Sequence, residues 1–219
     1  MSIKSNLQEV KSSLHNNVEL VAVSKYHTIE AVQEAYDAGQ RVFGESREQE
    51  LRIKYDKLPK DIKWHFIGHM QTNKVKYIAP YISMIEAVDS LKLMKEIEKQ
   101  AAKHNRIIDI LLELHLAQEE TKSGMLPDEC LRFLEEGEWR NMEHVRICGI
   151  MMMASNTNNE NQIKSEFLRA KALFDTIKQR FFADNDSFSI RSYGMSGDYT
   201  IAQECGSNHV RVGSRIFSD

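Results

Sequence analysis

Residues 19–45, ELVAVSKYHTIEAVQEAYDAGQRVFGE, contain two short apolar segments separated by a helical pattern. The first segment, 19–24, is short and rich in Val, Leu and Ala, which is typical of a strand buried in a parallel sheet. Thr28 suits the N-cap of the helix, and Gly39 suits its end. The stretch therefore predicts a strand, a helix and a second strand at 41–45, which is the repeating unit of a parallel α/β fold.

The same alternation of apolar segments and helical patterns continues through almost the whole chain. Eight segments fit buried strands: 19–24, 41–45, 64–68, 84–88, 107–115, 145–153, 188–194 and 209–213. Eight strands that alternate with helices fit a closed TIM-type barrel, whereas five or six would indicate an open, doubly wound sheet. The sequence therefore predicts an α/β protein with a single (β/α)8 barrel domain over residues 1–219.

The helical patterns between these strands bury one face. The clearest has apolar residues spaced three or four apart, as on an amphipathic helix: Ile163, Phe167, Ala170, Phe174, Ile177 and Phe181. Before the first strand, Leu7, Val10 and Leu14 predict an extra N-terminal helix that covers one end of the barrel.

Composition and charge exclude several classes of protein. The 219 residues carry a formal net charge of −3, whereas sequence-independent binding of nucleic acid needs a concentrated positive field. No apolar run approaches the ~20 residues that cross a bilayer, and the polar N-terminus does not resemble a signal peptide. The three cysteines are far apart and predict buried thiols in a reducing setting. We therefore expect a cytoplasmic protein without nucleic-acid or membrane partners.

His65 and His69 are the residues that most suggest a metal site. In or near a strand, residues four apart are separated by roughly 13 Å, which is too far to share one ion. The cysteines form no CxxC pair, and the usual nucleotide-binding glycine motifs are missing from the sequence. We therefore expect no metal site.

Lys25 directly follows the first predicted strand and precedes the helix that begins near Thr28. Active sites of TIM barrels lie at the carboxyl ends of the strands, and this is such an end. A lysine with apolar neighbours can lose its proton and attack an aldehyde. The alternative is a solvated loop lysine, and the position of Lys25 alone favours that alternative.

Two turns that contain glycine and serine follow the seventh and eighth predicted strands. Residues 193–198, YGMSGD, lead into a short helix, and Gly213 and Ser214 end the last strand. Glycine lets the backbone approach an anion, Ser196 offers a hydroxyl, and a helix N-terminus presents unpaired N–H groups. Because TIM barrels commonly bind phosphate after strands seven and eight, these turns predict a phosphate site.

Arg211 lies two residues before Gly213, so both positions point to one face of the sheet. A buried arginine needs a partner. Arg211 either faces a ligand at the barrel mouth or forms an internal salt bridge with Glu45, Glu86 or Glu113, and the spacing favours neither interpretation.

Met151 and Met153 share one face of the sixth predicted strand, and Met152 takes the other. Core filling is the plain interpretation of these side chains. Contact of one of them with a flat ring is the alternative.

Six segments resemble a known family in their order along the chain: 22–25 (AVSK), 43–50 (FGESREQE), 64–74 (WHFIGHMQTNK), 120–125 (ETKSGM), 194–196 (GMS) and 210–217 (VRVGSRIF). They resemble the YggS/PROSC family, whose members bind pyridoxal 5′-phosphate (PLP) and maintain its homeostasis. This family is similar to the N-terminal barrel domain of bacterial alanine racemases, so the resemblance implies the same barrel here.

The resemblance implies PLP as the cofactor and assigns it a covalent attachment point. Lys25 would carry PLP as a Schiff base, and Ser196, Gly213 and Ser214 would hold the phosphate. The turns identified above are the same residues.

The resemblance also implies contacts to the rest of the cofactor. Arg211 would face the pyridine nitrogen, and Met151 would lie beside the ring. Family members commonly have Asn where this chain has Ser46, so we expect Ser46 at the cofactor site without a side-chain amide.

Two functions fit this resemblance. One is a carrier or buffer of PLP that supports vitamin B6 and amino-acid homeostasis and supplies PLP-dependent apo-enzymes. The other is an amino-acid racemase, but a permanently charged Arg211 at the ring nitrogen weakens the electron sink that such an enzyme uses. Related racemases have a second, β-rich domain with a catalytic tyrosine, whereas this sequence ends at Asp219. We therefore expect a monomeric carrier without catalytic turnover, unless Tyr26, Tyr193 or a partner chain supplies a second base.

Overall fold

The computed structural model describes residues 2–118 and 123–218, which form a closed barrel of parallel strands. Each strand pairs with the next along the chain, and the last pairs with the first. The strands are β1 Glu19–Val23, β2 Val42–Glu45, β3 Lys63–Phe66, β4 Met84–Val88, β5 Ile108–Leu114, β6 Val145–Met152, β7 Ile190–Met195 and β8 His209–Val212. The predicted (β/α)8 barrel is confirmed.

Helices connect the strands and pack around the barrel. They are α1 Ile3–Ser12, α2 Ile29–Asp37, α3 Glu48–Lys57, α4 Val75–Ile78, α5 Leu91–Lys103, α6 Pro127–Glu136, α7 Glu160–Phe181, α8 Tyr199–Glu204 and α9 Ser214–Phe217. The extra N-terminal helix is α1, which packs against α2 and α9. Within the described ranges no helix is long and apolar enough to span a bilayer.

Several helix ends follow local sequence signals. The Thr28 hydroxyl accepts the N–H of Ala31 at the start of α2, and the Ser90 hydroxyl accepts the N–H of Leu93 at the start of α5. Gly137 ends α6 with φ = 74°, a left-handed conformation that favours glycine. These signals fix where the chain leaves each helix and enters the next strand.

The main hydrophobic core lies between the outer face of the barrel and the helices. The amphipathic pattern predicted from Ile163 to Phe181 forms the inner face of α7. Its residues Ile163, Phe167, Ala170, Phe174 and Ile177 are buried, and Phe181 is half-buried. Burying a large apolar side chain contributes about 1.5–3 kcal/mol, so this helix is held mainly by its packing.

The inside of the barrel is packed rather than hollow. Met84, Leu111, Cys148 and Met151 form an apolar cluster there. Polar side chains are enclosed as well, namely His65, Glu86, Ser192 and Arg211. A small molecule would therefore have to bind outside this packed layer, as at the mouth formed by the carboxyl ends of the strands.

Candidate functional site

A cavity of about 360 Å³ lies at the carboxyl ends of the strands. Its volume is within the range of ~300–1,000 Å³ typical of small-molecule sites. The lining residues are Val23, Lys25, Ile67, Met153, Met195, Ser196, Gly197, Arg211, Gly213 and Ser214. Five of the seven residues singled out from the sequence therefore meet in one cavity.

Lys25 enters this cavity from the turn that follows β1. Its side chain is half-buried, and its ammonium has no hydrogen bond or ion pair within residues 2–118 and 123–218. The next residue, Tyr26, is 65% exposed and has φ = 68°, which is uncommon for a residue other than glycine. The sharp turn directs Lys25 into the cavity and leaves its amine unpaired, as a nucleophile needs to be.

The turns after β7 and β8 meet in the cavity wall beside the end of β1. The main-chain N–H of Gly213 donates to Ser196 Oγ over 3.1 Å, and Arg215 Nε donates to the Ser196 carbonyl over 2.7 Å. A Cβ atom at Gly213 would lie 2.9 Å from the carbonyl oxygen of Val23, so only glycine fits there. The two turns thus form one concave surface with exposed backbone and hydroxyl groups, suited to an anion.

Arg211 is buried beneath this surface and has three kinds of partner. Nη1 donates to the main-chain carbonyl and the hydroxyl of Ser192 over 2.9 and 2.6 Å, and Nη2 donates to the carbonyl of Met152 over 3.0 Å. Nη1 also lies 3.7 Å from Glu86 Oε2. Arg211 therefore forms an internal salt bridge with Glu86, one of the three candidate acids, and also lines the cavity, while its contact with a ligand stays a prediction.

Glu86 is fully buried and is the counter-ion of Arg211. His65 Nδ1 lies 2.7 Å from Glu86 Oε1, and the Ser192 hydroxyl donates to Oε2 over 2.6 Å. Burial raises the pKa of Glu86, but the hydrogen bond and charge of His65 and the charge of Arg211 outweigh it and lower the pKa to about 2. Glu86 is consequently a carboxylate at neutral pH. Burial lowers the pKa of Arg211, while Glu86 acts against that shift.

Two residues singled out from the sequence lie outside the lining of the cavity. Met151 is 1% exposed within the inner apolar cluster, one layer below, and Met153 on the same face takes the lining position. Ser46 lines a neighbouring cavity of about 200 Å³ together with His69 and Lys74. The roles implied for Met151 and Ser46 remain predictions.

Several lining residues were not singled out from the sequence. Five further residues complete the lining, namely Val23, Ile67, Met153, Met195 and Gly197. The alternation along β6 already placed Met153 on the inner face, and Gly197 lies within the YGMSGD segment. Nothing in the sequence distinguishes Ile67 from an ordinary strand residue.

The histidines and tyrosines considered above are separated by the fold. His65 is buried against Glu86, whereas the side chain of His69 is 66% exposed and lies 4.0 Å from Asp89. Tyr193 is buried, stacks on Phe167 and donates its hydroxyl to a main-chain carbonyl, so it does not reach the cavity. In the described part of the chain, no three His, Cys, Asp or Glu side chains are grouped to hold a metal ion.

A larger groove of about 660 Å³ lies between α1 and α2. It is open to solvent and carries Glu30, Glu34 and Asp37 with one cation, Lys4. None of the residues predicted to carry chemistry lines it, so we assign the candidate site to the smaller cavity at the barrel mouth.

Comparisons with known proteins identify the family to which the chain belongs. The chain matches the alanine racemase N-terminal domain family over residues 1–219. It is 35% identical over 209 residues to the pyridoxal phosphate homeostasis protein of Helicobacter pylori, covering 94% of this chain and 90% of that protein. The chain belongs to the pyridoxal phosphate homeostasis protein family.

Solved structures place this family member among relatives with the same barrel. PipY of Synechococcus elongatus, solved with PLP bound, is 29% identical and superimposes with a TM-score of 0.90 over 99% of this chain and 100% of that one. Alanine racemase of Clostridium difficile is 14% identical, with a TM-score of 0.77 over all of this chain and 59% of that one. The second likeness concerns the fold alone.

Most of the segments that carry the family resemblance lie at or near the barrel mouth. Lys25, Ser196 and Gly213 come from three of them and line the cavity. Of the segment 120–125, residues 120–122 lie outside the described residues, and 123–125 follow β5. Four of the six segments thus contribute lining residues to the cavity, whereas 43–50 and the described part of 120–125 contribute none.

Proposed function

We propose that this protein binds PLP covalently through Lys25 and acts as a carrier or buffer of PLP, without catalytic turnover. The observation that carries the proposal is the single cavity shared by an unpaired amine, an anion-binding surface and a buried guanidinium. Membership of the pyridoxal phosphate homeostasis protein family supports it, as does the PLP bound in PipY.

The residues of the cavity fit the chemical groups of PLP. PLP supplies an aldehyde that condenses with a primary amine, an aromatic ring nitrogen and a phosphate. At Gly213 a Cβ would meet Val23, and the main-chain N–H groups of Gly197 and Ser214 have no acceptor in the described part of the chain. These unpaired donors, with the Ser196 hydroxyl, suit a phosphate.

Each residue then has a distinct task. Lys25 binds the aldehyde carbon through Nζ, a condensation that forms one C–N linkage, releases one water and involves no oxidation. Ser196, Gly213 and Ser214 bind the phosphate, and Gly197 adds its unpaired N–H group. Arg211 faces the ring nitrogen as a donor, because a guanidinium cannot accept a hydrogen bond.

Two features of the cavity favour a carrier over a racemase. Arg211 is held as a cation by Glu86, and a cation beside the ring nitrogen disfavours its protonation and weakens electron withdrawal. Among the described lining residues, Lys25 and Arg211 are the only titratable groups, so a second base for racemisation would have to come from Tyr26 or from a partner chain.

The recipients of PLP in this proposal are PLP-dependent apo-enzymes, which would approach the rim. In this proposal the protein acts as a monomer. A cytoplasmic location fits the three cysteines, which are unpaired and buried, since burial raises the pKa of Cys130 and Cys148 to about 12 and makes these thiols inert.

The proposal is tested by replacing the lysine. Purified protein is incubated with PLP and reduced with borohydride, and its intact mass is measured by mass spectrometry. We expect a PLP-sized mass addition on the wild type and on the control Lys92→Ala, which removes an exposed lysine of α5, but none on Lys25→Ala. An unchanged addition on Lys25→Ala would refute the attachment point. Conversion of an L-amino acid to its D-form by the loaded wild type would refute the carrier and favour the racemase.

A further inference from the structure

Helix α3 contacts both peptide groups that flank Lys25. Lys54 Nζ donates to the carbonyl of Ser24 over 2.7 Å, and Glu50 Oε2 accepts the N–H of Tyr26 over 3.0 Å. The first contact fixes the peptide group before Lys25 and the second fixes the one after it. Together they restrict both backbone dihedrals of Lys25.

Glu50 and Lys54 lie one turn apart on α3, so their side chains share a face. Their charged atoms are 3.9 Å apart. Lys54 also donates to Glu45 Oε1 over 2.7 Å, and the Ser24 hydroxyl donates to the same oxygen over 2.5 Å. The end of β1, the end of β2 and α3 are therefore joined by one polar cluster directly behind the turn of Lys25.

The cluster is unusual because it is buried. The side chains of Lys54 and Glu45 are 5% and 0% exposed, and burial of an ion pair is costly compared with apolar packing. Packing of α3 on the barrel does not itself require a lysine at this position. The contacts that the buried cation does make are directed at the backbone of the turn.

The turn needs such contacts because of its backbone conformation. Tyr26 has φ = 68°, which the side chain of a residue other than glycine disfavours. Strained backbone persists where the surroundings hold it in place, and Glu50 binds the N–H of this same residue.

We propose that Glu50 and Lys54 are positioning residues that hold Lys25 in the orientation from which its amine reaches the bound aldehyde. This inference rests on the proposed function, because it concerns the speed of the covalent attachment. The reaction is unchanged: the neutral amine adds to the aldehyde carbon, one C–N linkage forms, and one water leaves with no change in oxidation state.

The first test compares Glu50→Ala with Glu50→Gln. The glutamine retains an acceptor for the N–H of Tyr26, whereas alanine removes it. Time courses of borohydride trapping should show attachment slowed by about tenfold to a hundredfold in Glu50→Ala, and largely restored in Glu50→Gln. The matched control is Asp56→Ala, which removes an exposed carboxylate elsewhere on α3. Equal rates in the wild type and Glu50→Ala would overturn the proposal.

A second measurement separates positioning from general damage to the site. In a Lys25→Ala background, where PLP would bind only without attachment, adding Glu50→Ala should leave the dissociation constant for PLP unchanged. A matching loss of affinity there would overturn the positioning role. For Lys54, the double variant Glu45→Gln/Lys54→Met avoids leaving an isolated buried charge and should be slowed in the same way.

A third measurement needs no PLP. Amide hydrogen exchange of Tyr26, followed by NMR in the ligand-free protein, should accelerate in Glu50→Ala and not in Asp56→Ala. An unchanged exchange rate of the Tyr26 amide in Glu50→Ala would overturn the positioning role of Glu50. If the wild type takes up no PLP, the proposed function fails, while this measurement still tests whether α3 holds the turn.

Discussion

Arg211 and Glu86 lie on β8 and β4, four strands apart around the barrel, and their charged groups approach to 3.7 Å inside it. Ser192 from β7 bridges them, because its hydroxyl accepts from Arg211 and donates to Glu86. His65 from β3 contacts the same carboxylate. Residues from four different strands thus form the floor of the cavity. There the cation Arg211 is held beside the anion Glu86.

Arg211 and Ser196 are expected to affect PLP binding in different ways. Arg211→Ala should shift the visible absorption of the PLP-loaded protein more than it weakens PLP retention, because the proposed function places Arg211 at the ring nitrogen. Ser196→Ala should lower PLP affinity by about tenfold or more, the effect of losing a hydrogen bond to a charged group, and leave the absorption maximum in place. Spectra and equilibrium dialysis of both variants check this. Equal loss of PLP from the two would assign Arg211 to the phosphate instead.

Gly213 and Gly197 differ in the space around them. A methyl group at Gly213 would lie 2.9 Å from the Val23 carbonyl oxygen, so Gly213→Ala must displace β1 from β8. We expect it to lower the free energy of unfolding by about 1–3 kcal/mol and to weaken PLP retention. A Cβ at Gly197 meets no described atom within 4 Å, so Gly197→Ala should change that free energy by less than about 0.5 kcal/mol. Urea denaturation of both variants checks the contrast, and equal stability would show that the strands adjust freely.

His209 should make stability depend on pH. Burial lowers its pKa from 6.5 to about 4, although the charge of Glu86 acts the other way. Between these two values the unfolded chain binds a proton that the folded chain does not, so the free energy of unfolding falls as the pH drops from about 6.5 to about 4. The loss reaches about 3 kcal/mol.

Urea denaturation at several pH values tests this in the wild type and in His209→Gln, with the exposed His104→Gln as control. The dependence between pH 6.5 and 4 should shrink only in His209→Gln. The contribution of Glu86 to the free energy of unfolding is lost at lower pH, from pH 4.5 towards 2, since the pKa of Glu86 is lowered to about 2. Burial raises the pKa values of Glu45 and Glu113, so these groups oppose the decline, and the comparison is therefore made between variants.

The barrel and much of the cavity follow from local sequence. Strand and helix periods differ, so their alternation identifies a parallel α/β fold, and closure into a barrel follows from the number of strands. Lys25, Ser196 and Gly213 could be placed together because the carboxyl ends of all strands in a barrel meet at one mouth.

The depth of a residue inside the barrel could not be predicted in this way. Met151 and Met153 share a face, and which of them reaches the mouth depends on the stagger between strands, which sequence period does not encode. The sequence likewise does not identify which acid forms the salt bridge with Arg211. Glu45 faces outward to Lys54 and Glu113 accepts from Ser123, which leaves Glu86 as the inward acid in reach.

The contacts of α3 are the least predictable feature. Glu50 and Lys54 lie 25 and 29 positions after Lys25 on a helix with few apolar residues, where they read as ordinary surface charges. Only the packing of α3 against the ends of β1 and β2 turns them inward.

The packed interior of the barrel has a consequence for exchange. Because nothing can pass through the layer of Glu86, Ser192 and Arg211, a molecule in the cavity enters and leaves on the same side. An incoming molecule therefore binds only after the previous one has left, and the recipients in the proposed function would have to contact the rim, where Tyr26 and Met195 are 65% and 38% exposed. Binding to the cavity and release from it therefore use the same opening.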